Sequence, residues 1–309
     1  MFYSVSHTEH ADRLLTAGVR NILVSYHYFR KNSDFMEILK EVNKRGGLFM
    51  IDSGAFTFSV AISKTAKEDG KDVSDPGSWI DYLEEYVQFI EEHHKLLFCA
   101  ANFDIDSLVG TEIVDQWNIK YFAKLEKLVN VIYVAHRYLP NYKEFERLEE
   151  YCKKFKYVGV NAYYQKALSK VAQISNKYRT RIHGFAITSF PRIKQYPMFS
   201  VDSITWHMGE VFGVTYRHDG ANFRGLNHKY KNYRVADTLL MRKIGLDPDR
   251  VIIQEKARDV DIYNLEGWKG AEKQYYEIAD AKLLNDYVSS YDKRLDRRGK
   301  SNHKPRQRG

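Results

Sequence analysis

Leu48-Phe49-Met50-Ile51-Asp52-Ser53-Gly54-Ala55-Phe56 is the stretch on which the fold turns. Four apolar residues run straight into an acid and then into a Ser-Gly turn, with Gly46-Gly47 bounding the run on its other side. A short continuous apolar run between such breakers reads as a parallel strand covered on both faces. Its last residue is then a carboxylate carried to the end of a strand. A second acid, Asp202, sits inside another apolar run near position 200, and the expectation is a barrel built to hold the two opposite each other.

Outward from that stretch, short apolar runs alternate with helical patterns, as a parallel sheet requires. Strands are predicted at 2–6, 21–26, 48–52, 96–103, 131–135, 157–160, 182–187 and 199–204, with helices over 9–17, 34–44, 79–93, 112–129, 142–155 and 165–178. On 34–44 the residues Phe35, Ile38, Leu39 and Val42 share one face. Eight strands separated mostly by helices is the count of an α/β protein of the (β/α)8 TIM-barrel type. An open doubly wound sheet is the alternative, but the chain has no G-x-G-x-x-G or P-loop glycine pattern to support it. Segment 63–78, polar and containing Asp75-Pro76-Gly77, reads as an exposed loop or flap. The barrel is read as one domain over 1–292, with a basic and aromatic insertion at 207–234 and further helices at 235–244 and 266–285.

The chain has 309 residues and a net charge of +8. Eight Lys/Arg against Asp296 give positions 293–309 a charge of +7, so the rest of the chain is close to neutral. That tail is too poor in apolar residues to fold. It serves either as a solubilising tail or as an arm for nucleic-acid phosphates. Arg217, Arg224, Lys229, Lys231 and Arg234, interleaved with Phe223, Tyr230 and Tyr233, form either a nucleic-acid-binding surface or a solvated loop. Only Cys99 and Cys152 are present, too few for a disulfide framework or a four-cysteine zinc site. No run approaches the ~18 apolar residues of a membrane span, and no secretory leader is apparent. A cytoplasmic protein without metal or other cofactor is expected, and a homodimer is compatible with the sequence.

In a barrel the C-terminal strand ends form the reactive face. The polar residues predicted there are Asp52, Asp104, Asp106, His136, Asn161, His183 and Asp202. Each has a plainer reading: Asp52 as a turn former, Asp106 as a cap, His183 as a buried core histidine. Two facing carboxylates support displacement at a sugar anomeric carbon, one attacking and the other handling the proton of the leaving group. Spacing alone does not separate a transferase from a glycoside hydrolase.

Asp52-Ser53-Gly54-Ala55-Phe56 resembles the D-S-G-G-[FY] strand end of the queuine/archaeosine tRNA-guanine transglycosylases. Asn102-Phe103-Asp104-Ile105-Asp106 is similar to their F-D-E motif, and Ser200-Val201-Asp202-Ser203 lies where that family has its nucleophile. The resemblance covers roughly residues 45–210, with the motifs in family order. It implies that Asp202 attacks C1′ and holds the nucleic acid covalently while Asp52 acts as general acid/base. It further implies that Asp104, with Asp106 as competitor, binds the purine edge. His136 stands where the tRNA enzymes use Gln. Gly159 and Val160 match a strand end whose backbone meets the base carbonyl, and Ser53, Gly54 and His183 complete the expected base pocket.

The family's C-x-C-x-x-C…H zinc site has no counterpart, since no cysteine follows position 152. The variants Asp-Ser-Gly-Ala-Phe and Ser-Val-Asp-Ser-Ile-Thr-Trp look more like the DNA-modifying branch found in bacteriophages and bacterial modification clusters. The implied partners are DNA, guanine and a 7-deazaguanine such as preQ0 or preQ1. A zinc-free tRNA enzyme and a non-catalytic nucleic-acid-binding barrel subunit are the alternatives.

Overall fold

The computed structural model describes residues 1–56, 58, 72–137, 143–187, 189–207, 214–218, 223–227, 235–252, 262–270 and 272–273. Eight parallel strands close into a barrel in sequence order. They are β1 (Phe2–Val5), β2 (Ile22–Ser25), β3 (Phe49–Asp52), β4 (Cys99–Ala101), β5 (Asn130–Ala135), β6 (Tyr157–Val160), β7 (Arg181–Gly184) and β8 (Ser200–Ser203). Pairing of Phe2 with Asp202 closes the ring between β1 and β8. Helices follow the strands: Thr8–Thr16, Phe35–Lys44, Ile80–His93, Thr111–Trp117, Glu146–Lys154, Leu168–Tyr178 and Phe190–Gln195. This is a (β/α)8 TIM barrel, the architecture read from the sequence.

The pleat sorts side chains into two populations. Tyr3, Val5, Val24, Ile51, Tyr133, Val158 and Val201 point outward into the core shared with the helices. Phe2, Leu23, Met50, Cys99, Ile132 and Tyr157 point inward and fill the barrel as a separate cluster. Two residues further along their strands the inward side chains become Ser4, Ser25 and Asp52, and on β8 the same alternation turns Asp202 inward. Hydrophobic filling below and polar groups above follow from the same two-residue period.

Where the structure departs from the pattern reading, the causes are local. The helix expected over 112–129 is interrupted by a π-helical turn, Asn118–Phe122. That turn lets buried Asn118 accept from Asn102 Nδ2 at 2.8 Å and donate to the Tyr151 hydroxyl at 3.1 Å. The strand expected over 96–103 keeps only three paired residues, because His94–Leu96 forms a 3-10 turn first. The basic segment after the barrel includes a hairpin, Val214–His218 against Phe223–Asn227, antiparallel with Arg217 opposite Arg224. A helix at 262–270 places Leu265 and Trp268 in the main core. Its Asn264 bonds both the hairpin (Tyr216 N, 2.7 Å) and the end of the barrel (Trp206 O, 3.1 Å). Most of the expected flap, the end of the last expected helix and the whole 293–309 tail lie outside the described residues. Among the described residues, no helix is long and apolar enough to cross a membrane.

Candidate active site

Asp52 is the last residue of β3, and the sharp turn behind it is made by Gly54 at φ +89°. A β-carbon at Gly54 would lie 2.8 Å from His27 Cβ and 3.0 Å from Ser25 Oγ, so only glycine fits. The turn returns the Gly54 amide to Asp52 Oδ2 at 3.1 Å. Behind it, the hydroxyls of Tyr82 and Tyr86 donate to Ser53 O (2.7 Å) and Ala101 O (2.8 Å), pinning the ends of β3 and β4. Gly54→Ala should therefore lower stability by about 1–3 kcal/mol through strain and contact, read as a drop in denaturation midpoint.

Asp52 titrates abnormally. Burial is the main cause, the neighbouring Asp104 charge the next, and Asp202 adds to both, while the Gly54 and Ser53 amides pull the other way. The net result lifts its carboxyl from near 3.8 to about 7. Asp104 and Asp202 thus each sit close enough to Asp52, at one end of the barrel, to disfavour its charge.

Asp202 is held on both oxygens. Ser4 Oγ donates to Oδ2 at 2.7 Å and Ala186 N to Oδ1 at 2.9 Å. Ala186 adopts φ +53°, a left-handed conformation uncommon for a residue with a β-carbon, and it is that conformation which carries the amide into bonding distance. Neither Ser4 nor Ala186 was anticipated. Ser4 could have been found by continuing the inward alternation from Phe2. Ser25, paired in register with Asp52, was also missed; its hydroxyl is buried and has no hydrogen-bond partner among the described residues.

Asp104 follows β4 and accepts from Ser53 Oγ at 3.3 Å. His136, just past β5, lies between two carboxylates, with Nε2 3.3 Å from Asp104 Oδ2 and Nδ1 3.1 Å from Asp106 Oδ2. Burial opposes its charge, but the hydrogen bonds and charges of Asp104 and Asp106 outweigh this and push its pKa up to about 10. Asp106 is withdrawn from the opening, with its side chain 1% exposed and Oδ1 facing Arg147 Nη2 at 3.6 Å. Arg147 is itself buried in a bidentate pair with Asp115 (2.6 and 2.8 Å) and donates to the Tyr151 hydroxyl. The two acids thus differ in position: the side chain of Asp104 is 12% exposed, whereas Asp106 lies buried behind His136.

Four expectations need correction. His183 is fully buried, with Nε2 3.4 Å from Asp202 Oδ1, so it lies beneath the acid and cannot touch a base. Val160 turns its side chain into the helix-side core and its carbonyl accepts from Phe185 N at 2.8 Å. Gly159 is covered by the Phe185 ring, which a β-carbon there would meet at 2.6 Å. The half-buried ring of Phe185, missed in the sequence, thus lies over Gly159. Arg217 is engaged by buried Asp237 and so contributes to the fold of the hairpin region. Arg224 lies on the opposite hairpin strand, and Lys229, Lys231 and Arg234 fall outside the described residues. Asn161 is a cap, accepting from Tyr163 N at 3.3 Å.

No protein-family model matches the sequence, and comparison with curated proteins gives no match. Among solved structures the chain is similar to the UMP synthase of Leishmania donovani, at 8% identity and a TM-score of 0.34, over 86% of this chain and 72% of that one. So slight a likeness carries no argument, and the site has to be read from its own geometry.

Among the described residues no cluster of His, Cys, Asp or Glu is arranged to hold a metal ion. A cavity of about 450 Å³ lies between the helix Leu168–Tyr178 and the segment 195–199, beside the start of β7, and none of the acids lines it. The chemistry therefore concentrates at the strand ends: one carboxylate positioned by two donors, a second that exchanges a proton near neutrality, and a third held by an imidazolium.

Proposed function

We propose that this barrel is a guanine transglycosylase acting on DNA, exchanging guanine for a 7-deazaguanine of the preQ0 or preQ1 type. The observation that carries the reading is the placement of Asp202 and Asp52 at one barrel mouth, within electrostatic reach of each other. The order and content of the Asp52, Asp104 and Asp202 motifs support the same family resemblance.

In the first half-reaction Asp202 attacks C1′, the C1′–N9 bond breaks, and its electrons leave with the purine. Asp52 supplies the proton the departing guanine needs. In the second, Asp52 accepts the proton from the incoming base as that base attacks C1′ and Asp202 leaves. No water is consumed, and two inversions at C1′ give retention. A carboxyl titrating at about 7 suits both directions, because it is substantially present in each form at neutral pH. Asp104, kept in place by Ser53 and His136, accepts hydrogen bonds from the purine edge. Phe185, packed on His183 next to Asp202, offers a ring face.

The test is incubation of the purified chain with labelled guanine and either duplex DNA or tRNA, followed by mass spectrometry of the nucleosides with preQ0 or preQ1 supplied. Label entering DNA and a 7-deazaguanine nucleoside appearing there is the expected result. Incorporation confined to tRNA would transfer the activity to the RNA substrate. Free base released without exchange would mark a hydrolase, and no turnover on either polymer would reject the enzyme.

A further inference from the structure

Beneath Asp202 lies a buried polar chain that the proposed exchange does not use. Tyr157 Oη is 2.5 Å from Ser200 Oγ, and Ser200 Oγ is 2.6 Å from His183 Nδ1. The other ring nitrogen, Nε2, faces Asp202 Oδ1 at 3.4 Å without a hydrogen bond. We propose that Tyr157 and Ser200 fix His183 in the tautomer protonated at Nε2, making it a positioning residue that presents a donor to Asp202 Oδ1. The role assigned to that donor rests on Asp202 being the nucleophile; the tautomer does not.

The direction follows from counting hydrogens. Tyr157 is 4% exposed, and its phenol has one hydrogen, for which Ser200 Oγ is the acceptor among the described residues. A buried hydroxyl that donates to nothing is costly, so Tyr157 donates and Ser200 accepts. The single hydrogen of Ser200 then goes to His183 Nδ1, which must be unprotonated to receive it. A neutral imidazole with Nδ1 accepting carries its hydrogen on Nε2. That N–H is enclosed by Phe2, Phe185 and Tyr157 rings, and the polar atom it faces is Oδ1.

The two oxygens of Asp202 are thereby made unequal. Oδ1 accepts from the Ala186 amide and has the imidazole N–H edge 3.4 Å away, near enough to act through its dipole though not hydrogen-bonded, and both are fixed to the scaffold. Among the described residues Oδ2 has only the Ser4 hydroxyl, which can rotate away. Oδ2 forms the bond to C1′, and Oδ1 becomes the carbonyl oxygen of the ester. When the second base attacks, the C1′–Oδ2 bond breaks and its electrons return to the carboxylate. Donors at Oδ1 stabilise that recovered charge more than they stabilise the neutral ester. The imidazole N–H therefore favours breakdown of the covalent intermediate over its formation.

Long-range ¹H–¹⁵N spectra of the full chain carrying ¹⁵N-histidine, with the His183 signal identified by its loss in His183→Leu, read the tautomer directly. Hydrogen on Nε2 is expected, with a second tautomer appearing in Ser200→Ala; hydrogen on Nδ1 in the native protein would overturn the proposal. The second readout is the denatured, trapped adduct with duplex DNA in the presence and absence of added guanine. His183→Leu should slow discharge of the adduct by about 3-fold, less than the loss of a full hydrogen bond to a charged group would give, while formation changes much less. Ser200→Ala should shift the same ratio in the same direction by a smaller factor, and carries the test if His183→Leu does not fold. Equal losses in both half-reactions, or no change in their ratio, would reduce His183 to a core residue. A native chain that forms no adduct while showing Nε2–H would instead refute the nucleophile and leave the tautomer standing.

Discussion

Asp202→Asn should remove base exchange by at least ~10⁴-fold and abolish the covalent adduct, the scale seen when a nucleophile is deleted from an otherwise intact site. The amide is close in shape to the carboxylate, and its oxygen can keep the Ala186 N–H that holds Oδ1. The Ser4 hydroxyl can turn to accept from the amide nitrogen. Circular dichroism and the denaturation midpoint should therefore remain near those of the native chain. Asp202→Ala should be equally inactive but less stable by about 1–3 kcal/mol, since it leaves the Ser4 hydroxyl and the Ala186 amide without their acceptor. Retained exchange in either variant, or an adduct that survives, would remove Asp202 from the attacking role. An electrostatic corollary separates a lost nucleophile from a collapsed site. The Asp202 charge helps raise Asp52, so neutralising it should lower the titration midpoint of Asp52 in ¹³C-carboxyl spectra.

The barrel was legible because each strand had to be apolar on both faces, which leaves short uninterrupted runs such as Phe49-Met50-Ile51 and Tyr157–Val160. The acids stood out as the points where those runs stopped. What stayed hidden has a common physical form. Tyr157, Ser200 and His183 are brought together across three adjacent strands, and a serine in a strand gives no local sign that its hydroxyl is a bridge. Asp106 and Arg147 likewise meet only when the helix Glu146–Lys154, packed on β5 and β6, comes up beside the short helix Asp106–Val109, so the sequence could offer Asp106 as a rival to Asp104 but not as the brace of His136. The hairpin at Val214–His218 and Phe223–Asn227 lies within the basic and aromatic insertion, expected as either a nucleic-acid-binding surface or a solvated loop, and its strands gave no long apolar run to mark them. Its order comes instead from Arg217–Asp237 and from Asn264, partners distant in the chain. Ser4 and Ser25 are a different case, since the two-residue period places both inward. They were overlooked because hydroxyls at strand ends attract less notice than acids.

Asp52→Asn should slow exchange by about 10²–10⁴-fold, the usual contribution of a positioned acid/base, and should at the same time make the protein more stable. The sign follows from linkage. Asp52 has its pKa raised in the folded chain to about 7, whereas an unfolded carboxyl titrates near ~3.9. Between these values the folded state binds the extra proton, so stability falls as pH rises through that window and levels off above it. Below the window both states are protonated and the penalty vanishes. Asparagine carries no charge to desolvate and no repulsion with Asp104 or Asp202, and its amide oxygen can still accept from Gly54 N. The variant should therefore exceed the native chain by about 2–4 kcal/mol at pH 8 and match it near pH 4, seen as a melting difference that opens with pH. A native activity profile in which Asp52 serves as acid in one half-reaction and base in the other should peak near neutrality and fall on both sides. An Asp52→Asn variant with unchanged exchange would remove the proton-transfer role. One with the same stability as the native chain at pH 8 would show that the strand end does not strain this carboxyl, and that its placement beside Asp104 and Asp202 costs the fold nothing.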